Sequence, residues 1–229
     1  MIGVVIPAHD EEQLIAACLD SVRRAAAHPS LHGEAVCPLV VLDACTDASL
    51  PIVSASGFSH MTIGAHNVGV ARAVGSQALL ARGVRWLAFT DADSRVASDW
   101  LVAQLQAGAD AVCGPVSVDD WSGLAPSVSA IWAKRYHDAD GHRHVHGANL
   151  GVAAYAYARA GGFPPLVCSE DVALVELLIE TGATVAWSAA PRVVTSGRLN
   201  ARARGGFGDT LAAWADEFGT GDASVMPSP

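Results

Sequence analysis

The chain has 229 residues, of which 51% are hydrophobic and 16% charged, and its 14 basic and 23 acidic side chains leave a formal net charge of −9. That composition excludes a disordered polar polymer and a collagen-like repeat, and the length fits one domain with a sizeable core. The acidic balance argues against nucleic-acid binding, which needs basic stripes.

Residues 2–7 are a short apolar, β-branched run ended by Pro7, which predicts a buried strand. Asp10-Glu11-Glu12-Gln13 predicts a helix beginning at Asp10, with a cap residue, acids in the first turn and Gln three positions on. Leu14, Cys18 and Val22 give that helix its apolar stripe. Residues 38–42 predict a second strand ending at Asp43, followed by a shorter helix at about 47–55 and a weak strand near 60–64. Asn67 to Ala81 reads as a helix of small residues closed by Gly83. Val84 to Thr90 is the third clear strand and runs into Asp91-Ala92-Asp93. Ser98-Asp99 caps a helix closed by Gly108, and Ala109 to Val116 predicts a further strand. Strands alternating with helices over short connections predict a doubly wound, mostly parallel α/β sheet flanked by helices.

Beyond residue 117 the rhythm breaks. A helix near 125–137 is followed by the polar stretch 138–144, then by Gly147 to Val152, a short helix and Gly161-Gly162-Phe163-Pro164-Pro165. A firm helix is expected from about 170 to 181, and two short strands at about 183–188 and 192–195. The tail 219–229 is small and polar and is expected to be disordered. The five cysteines are odd in number and widely spaced, without a CxxC pair, which favours a reducing, cytoplasmic setting. The N-terminus predicts no signal peptide, and no apolar run reaches the ~18 residues of a membrane span. Peripheral membrane contact stays open.

In open α/β sheets ligands bind outside the carboxyl ends of the strands, and here each clear strand ends in something polar. Asp91-Ala92-Asp93 places two carboxylates just past a buried strand, where both can face a hard divalent cation such as Mn²⁺ or Mg²⁺. The plainer alternative is that Asp91 ends the strand in a turn and Asp93 caps the next segment. There is no GxGxxG after the first strand and no GxxxxGK[ST], so a phosphate ligand would depend on metal and arginine. Glu170-Asp171 opens a helix after a loop, where a carboxylate either faces a cleft or simply caps the helix. His142, His144 and His146 share a face if extended, as a zinc site or as a polar loop entering a strand. Trp121 and Trp132 offer stacking surfaces for an acceptor, or core.

Val-Val-Ile-Pro-Ala-His-Asp-Glu-Glu, Val-Leu-Asp-Ala-Cys-Thr-Asp, Asn67 to Gly75, Phe-Thr-Asp-Ala-Asp-Ser and Ser169-Glu170-Asp171 stand in an order and spacing that resembles the family 2 glycosyltransferases, over about residues 1–185. That resemblance implies a GT-A fold and a metal-dependent, inverting transfer from a UDP- or GDP-sugar donor to an unknown acceptor hydroxyl. It implies a domain over 1–218, with a nucleotide-binding half to about 115 and an acceptor-side half from about 116. By resemblance, Pro7, Ala8 and Glu11 line the base and ribose pocket, with His9 where the family often has a stacking Tyr. Asp43 would accept from a base N–H, and Arg72 would face the nucleotide or its diphosphate. Asp91, with Ala92 beside it, would contact ribose or metal, and Asp93 the metal directly. Asp171 would be the catalytic base, with Glu170 the competing candidate.

His146 and Asn149 fall where such proteins shape the acceptor side. Arg198 is expected there too, or, with Arg202, Arg204 and Gly205-Gly206, in a loop closing over the diphosphate. The sequence departs from the family pattern in two places. The second motif is poorer in acid and glycine, and the late histidine often used as a metal ligand is absent from Val194-Thr195-Ser196-Gly197-Arg198. No QxxRW motif accompanies the others, which argues against chain polymerisation. The competing functions are a sugar-phosphate nucleotidyltransferase, which would want a Gly-rich basic loop after the first strand, and a non-catalytic nucleotide-sugar-binding protein, which would have little use for a base at Asp171.

Overall fold

The computed structural model describes residues 1–122, 126–166 and 168–198. In chain order its elements are β1 (Ile2–Ala8), α1 (Ile15–Ala26), β2 (Val36–Asp43), α2 (Ser49–Ser56), β3 (Ser59–Ile63), α3 (Val68–Leu80), β4 (Trp86–Phe89) and β5 (Arg95–Val96). Next come α4 (Trp100–Gln106), β6 (Ala111–Cys113), β7 (Val116–Val118), α5 (Pro126–Arg135), β8 (Leu150–Ala153), α6 (Ala154–Ala160), α7 (Glu170–Glu180), β9 (Val185–Trp187) and β10 (Val193–Thr195). The main sheet has seven strands in the order β3-β2-β1-β4-β8-β6-β9. All its pairings are parallel except those of β8, which runs antiparallel to both β4 and β6. A second sheet of three strands, β5-β10-β7, pairs Val193 with Val96 and with Val116.

β1 is buried at every position and β4 likewise. Helices on both faces of a parallel sheet leave no side for water, so these strands read as continuous apolar runs and not as alternating ones. α3 lies directly on β1 and β2. A Cβ at Gly75 would stand 2.7 Å from Val5 Cγ1 and 2.9 Å from Val41 Cγ2, so the glycine is what lets the helix approach so closely. Asn67 caps α3, its side chain accepting from Val70 N–H at 3.0 Å, where the sequence predicts the start.

The first helix differs from expectation. It begins at Ile15 and not at Asp10, because the acids that resemble a cap are recruited by the neighbouring β2–α2 loop. Asp10 takes a left-handed backbone (φ 51°), and its carboxylate accepts from Thr46 N–H at 2.7 Å and Asp47 N–H at 3.2 Å. Glu12 accepts from Ala48 N–H at 2.8 Å, and Asp47 accepts from Glu12 N–H at 2.9 Å. The strand expected over 109–116 is in fact two, broken at Gly114-Pro115, with β6 in the main sheet and β7 in the small one. β5 is a further strand that the sequence pattern does not reveal. β6, on the early side of the expected division near 115, pairs with β8 and β9 on the late side.

Among the described residues no helix is long and apolar enough to cross a membrane. The expected domain end at 218, the tail 219–229, and Arg202, Arg204, Gly205 and Gly206 lie outside the described residues.

Candidate functional site

The parallel register brings the carboxyl ends of β1, β2, β3 and β4 to one rim, with Ala8 opposite Leu42, Asp43 opposite Ile63 and Val5 opposite Phe89. After β1, β2 and β3 the chain passes through one left-handed residue that is not glycine: Asp10, Ala44 (φ 51°) and His66 (φ 49°). Such backbones cost energy and cluster at functional rims. The buried Asp43 carboxylate holds the third of these turns. Its Oδ1 accepts from Ala65 N–H at 2.7 Å and His66 N–H at 2.9 Å, and its Oδ2 from Asn67 N–H at 2.7 Å. Three of the roughly four lone-pair positions of that carboxylate are therefore taken, leaving one at Oδ2 for any further donor. His9 Nδ1 stands 2.7 Å from the Asp43 carbonyl oxygen, which can only accept, so Nδ1 carries the hydrogen. The His9 ring meets the exposed His66 ring edge-on at 5.6 Å. Sequence reasoning missed His66; its one signal is that it precedes the cap residue Asn67. Pro7 and Ala8 are buried at the end of β1, and Ala92 packs into the core between its acidic neighbours.

Glu11 is buried on the same rim and is gripped at both oxygens by Arg198, with Nη1 to Oε2 at 2.8 Å and Nη2 to Oε1. The same Nη2 lies 3.2 Å from Asp93 Oδ2. Ser94 and Thr195 hydroxyls attend Asp93 Oδ1 at 3.1 and 3.4 Å. Burial, with the nearby charges of Asp91 and Glu11, pushes the Asp93 carboxyl up to about 6, against the opposing pull of Arg198. Arg198, expected on the acceptor side or in a loop closing over the diphosphate, thus sits against Glu11 and Asp93. A cavity of about 440 Å³ opens beside it, with Asp10, Glu11, Asp47 and Ser196 in its wall. The donor set suits a hard divalent cation. Asp91 and Asp93 offer carboxylate oxygens, Asp91 is 33% exposed, and a guanidinium already stands as cation against Asp93.

Arg72 comes from α3 and is only 4% exposed. Its Nη2 binds Asp91 Oδ1 at 2.5 Å and its Nη1 binds Glu170 Oε1. A Cβ at Gly147 would lie 2.4 Å from the Arg72 Cζ, so the guanidinium rests against bare backbone there. Glu170 is buried, and burial raises its pKa while Arg72 pulls the other way. Its carboxylate is committed to that arginine. Asp171, next in sequence, is half-buried instead. Its Oδ2 accepts from Gly147 N–H at 2.7 Å and its Oδ1 from Val172 N–H at 2.8 Å. The two acids at the start of α7 therefore point to different partners, as a rotation of about 100° per helical residue requires.

His146 Nε2 lies 2.9 Å from the Tyr136 hydroxyl, which itself accepts from Val116 N–H at 2.8 Å. Burial first, then the neighbouring His144 and His142, pushes the His146 pKa down to about 3. His142 and His144 do not converge on a point. His144 stacks on Tyr136 at 4.1 Å and on His142 at 5.4 Å, and Tyr136 stacks on the buried Trp132 at 3.8 Å. Trp121 donates from its indole to the Val118 carbonyl at 3.0 Å. Asn149, also expected on the acceptor side, is instead fully buried. It donates to the Pro115 and Pro191 carbonyls at 2.7 and 2.9 Å and accepts from Trp100 Nε1 at 2.9 Å, which spends its amide on joining core elements. Among the described residues the one group of three close metal-ligating atoms is Asp10, Cys45 and Asp47. Burial raises the Cys45 pKa, and a protonated thiol is a poor ligand.

Residues 3–150 match the family model described as glycosyl transferase family 2. Among solved structures, residues 1–349 of TarS from S. aureus in complex with UDP-GlcNAc superpose with a TM-score of 0.63 at 15% identity, over 86% of this chain and 58% of that one. The mannosyltransferase PcManGT from Pyrobaculum calidifontis, in complex with GDP-Man and Mn²⁺, gives 0.60 at 19% identity over 84% and 56%. A mycobacterial protein gives 0.54 at 17% identity over 86% and 65%. At such identities the likeness is one of fold, and the chain spans less than two thirds of each of these chains. No curated protein matches the sequence. The matched segment runs from the start of β1 to the first residue of β8 and contains Glu11, Asp43, Arg72, Asp91 and Asp93, but not Glu170, Asp171 or Arg198. The chain belongs to glycosyl transferase family 2.

Proposed function

We propose that this chain is a glycosyltransferase that moves a sugar from a nucleoside diphosphate to an acceptor hydroxyl with inversion at the anomeric carbon. The observation that carries the reading is the Arg72 bridge. One buried guanidinium binds Asp91 at the end of β4 and Glu170 at the start of α7, and so fixes the Asp91–Asp93 pair relative to Asp171. His9, His66 and the last lone pair of Asp43 form the base end of the donor site, with the ends of β1 at Pro7 and Ala8 as its floor. Glu11 faces the ribose.

Asp171 is the general base. It takes the acceptor hydroxyl proton as that oxygen bonds to the anomeric carbon. The bond from that carbon to the diphosphate oxygen breaks, and its electron pair leaves with the nucleoside diphosphate. Because Arg72 is bonded to Glu170 and not to Asp171, one acid of the pair lacks an arginine partner for this work, which favours a single displacement. Asp93, with Asp91, would hold Mn²⁺ or Mg²⁺, whose charge would neutralise the departing diphosphate. The structural neighbours in complex with UDP-GlcNAc and with GDP-Man and Mn²⁺ make UDP- and GDP-sugars the first donors to try. Five free cysteines fit a cytoplasmic enzyme.

The test is a thermal-shift and donor-hydrolysis panel of UDP-, GDP- and dTDP-sugars with Mn²⁺, run on wild type and Asp93→Ala. A ligand that binds the native state raises the apparent melting temperature. Wild type should respond to one donor class, and Asp93→Ala should lose the metal-dependent part of that response while keeping its fold. If no nucleotide sugar shifts or is cleaved, the reading is wrong.

A further inference from the structure

Arg198 stands where two parts of the proposed donor site must work. Its fork covers both oxygens of Glu11 and its Nη2 reaches Asp93 at 3.2 Å. The backbone that carries it is held close by. β10 is paired with β5 and β7, and the Thr195 hydroxyl accepts from Ser94 Oγ at 2.9 Å beside Asp93. A Cβ at Gly197 would lie 2.5 Å from the Asp120 carbonyl, so that residue passes tight against the 118–120 segment. The anchor is fixed and the guanidinium sits at the end of a flexible side chain. Glu11 and Asp93 are nearly buried, and without Arg198 they would face each other and Asp91 as like charges.

We propose that Arg198 is a built-in counter-cation that bars free divalent metal from Asp93 until a nucleotide arrives; the inference rests on the metal assignment made above. A cation placed on Asp93 while Arg198 remains would put two positive charges at contact distance. A nucleotide removes that conflict. Its ribose hydroxyls compete for Glu11, and its diphosphate offers the planar guanidinium a matched pair of oxygens. Metal and nucleotide then bind together, each strengthening the other by the same factor.

The experiment titrates Mn²⁺ into the whole protein by calorimetry, alone and with saturating UDP or GDP, for wild type, Arg198→Met and Arg198→Lys, with folding checked by circular dichroism. Wild type should bind free Mn²⁺ at least about tenfold more weakly than it binds Mn²⁺ with nucleotide present, the scale expected for one charge at contact in a partly exposed site. Arg198→Met should bind free Mn²⁺ about tenfold more tightly than wild type, with a smaller nucleotide effect. Arg198→Lys, which keeps the charge but not the fork, should fall between them. Equal Mn²⁺ affinity of wild type with and without nucleotide overturns the proposal without needing any variant to fold. Unchanged or weaker free-Mn²⁺ binding by Arg198→Met overturns it while leaving the metal site standing. If Mn²⁺ binds in no condition, or binds Asp93→Ala equally well, the metal assignment itself falls and takes this inference with it.

Discussion

The two ends of the main sheet are both fastened by arginine–carboxylate pairs, and the pairs do different work. At the amino end, Glu34 accepts from the Met1 ammonium at 3.0 Å and from Arg85 at 2.7 and 2.6 Å, joining the starts of β1, β2 and β4. That arginine is 54% exposed and the acid 24%. At the carboxyl end, Arg72 is buried between Asp91 and Glu170, and Arg198 is largely enclosed by Glu11 and Asp93. Water screens the first group, so it holds strand ends together without a large energetic stake. The second group is driest at Arg72, Glu170 and Glu11, which have little water to fall back on. Glu11, Asp91, Asp93 and Glu170 share two guanidiniums there, with Asp171 alongside, an imbalance that suits the arrival of a cation. Two of these acids, Asp93 and Glu170, are pushed upward by burial, and perturbed carboxyls gather at functional sites.

The largest expected effect separates two neighbours at the carboxyl end. Asp171→Asn should bind donor normally and transfer sugar about 10²–10⁴-fold more slowly. Single-turnover kinetics on matched Asp171→Asn and Glu170→Gln proteins would read this directly. Wild-type transfer by Asp171→Asn, or a product that keeps the donor's anomeric configuration, would remove the base from Asp171.

Next comes stability. Arg72→Met deletes the cation shared by Asp91 and Glu170 and leaves Glu170 buried without it, which should cost about 3–5 kcal/mol. Urea denaturation measures it, and a loss below about 1 kcal/mol would mean that the bridge behaves like a surface pair.

The amino end should show the smallest effect. Glu34→Gln is expected to change stability by no more than about 1 kcal/mol at neutral pH. The Arg85 hydrogen bonds hold the folded Glu34 carboxyl down at about 2, from an ordinary 4.5. Its contribution is therefore present above the unfolded value and lost as the pH falls from about 4.5 through about 2. Wild type and Glu34→Gln should converge in stability as acid titrates that group. A difference at neutral pH as large as that of Arg72→Met would erase the contrast between the two ends.

Much of this was legible from the chain because its causes are local. β1 and β4 are buried at every position and β2 from Leu39 onward, so their apolar runs are unbroken, and the Asn67 cap acts within three residues of itself. The Asp91–Asp93 pair and the Glu170–Asp171 pair are visible as short strings. At Asp10 the pattern misleads because of distance. Its carboxylate answers to amides 36 and 37 residues away, and nothing near it in sequence says so. Asn149 misleads for the same reason, since its partners lie 34, 42 and 49 residues off.

The sequence by itself determined which acids lie at strand and helix ends, because apolar periodicity and turn chemistry are properties of neighbours. Tertiary structure alone decided what each acid is free to do. Arg72 reaches Glu170 across 98 residues, and Arg198 reaches Glu11 across 187. A buried carboxylate takes its role from the charge brought against it, and only the folded chain brings those charges together.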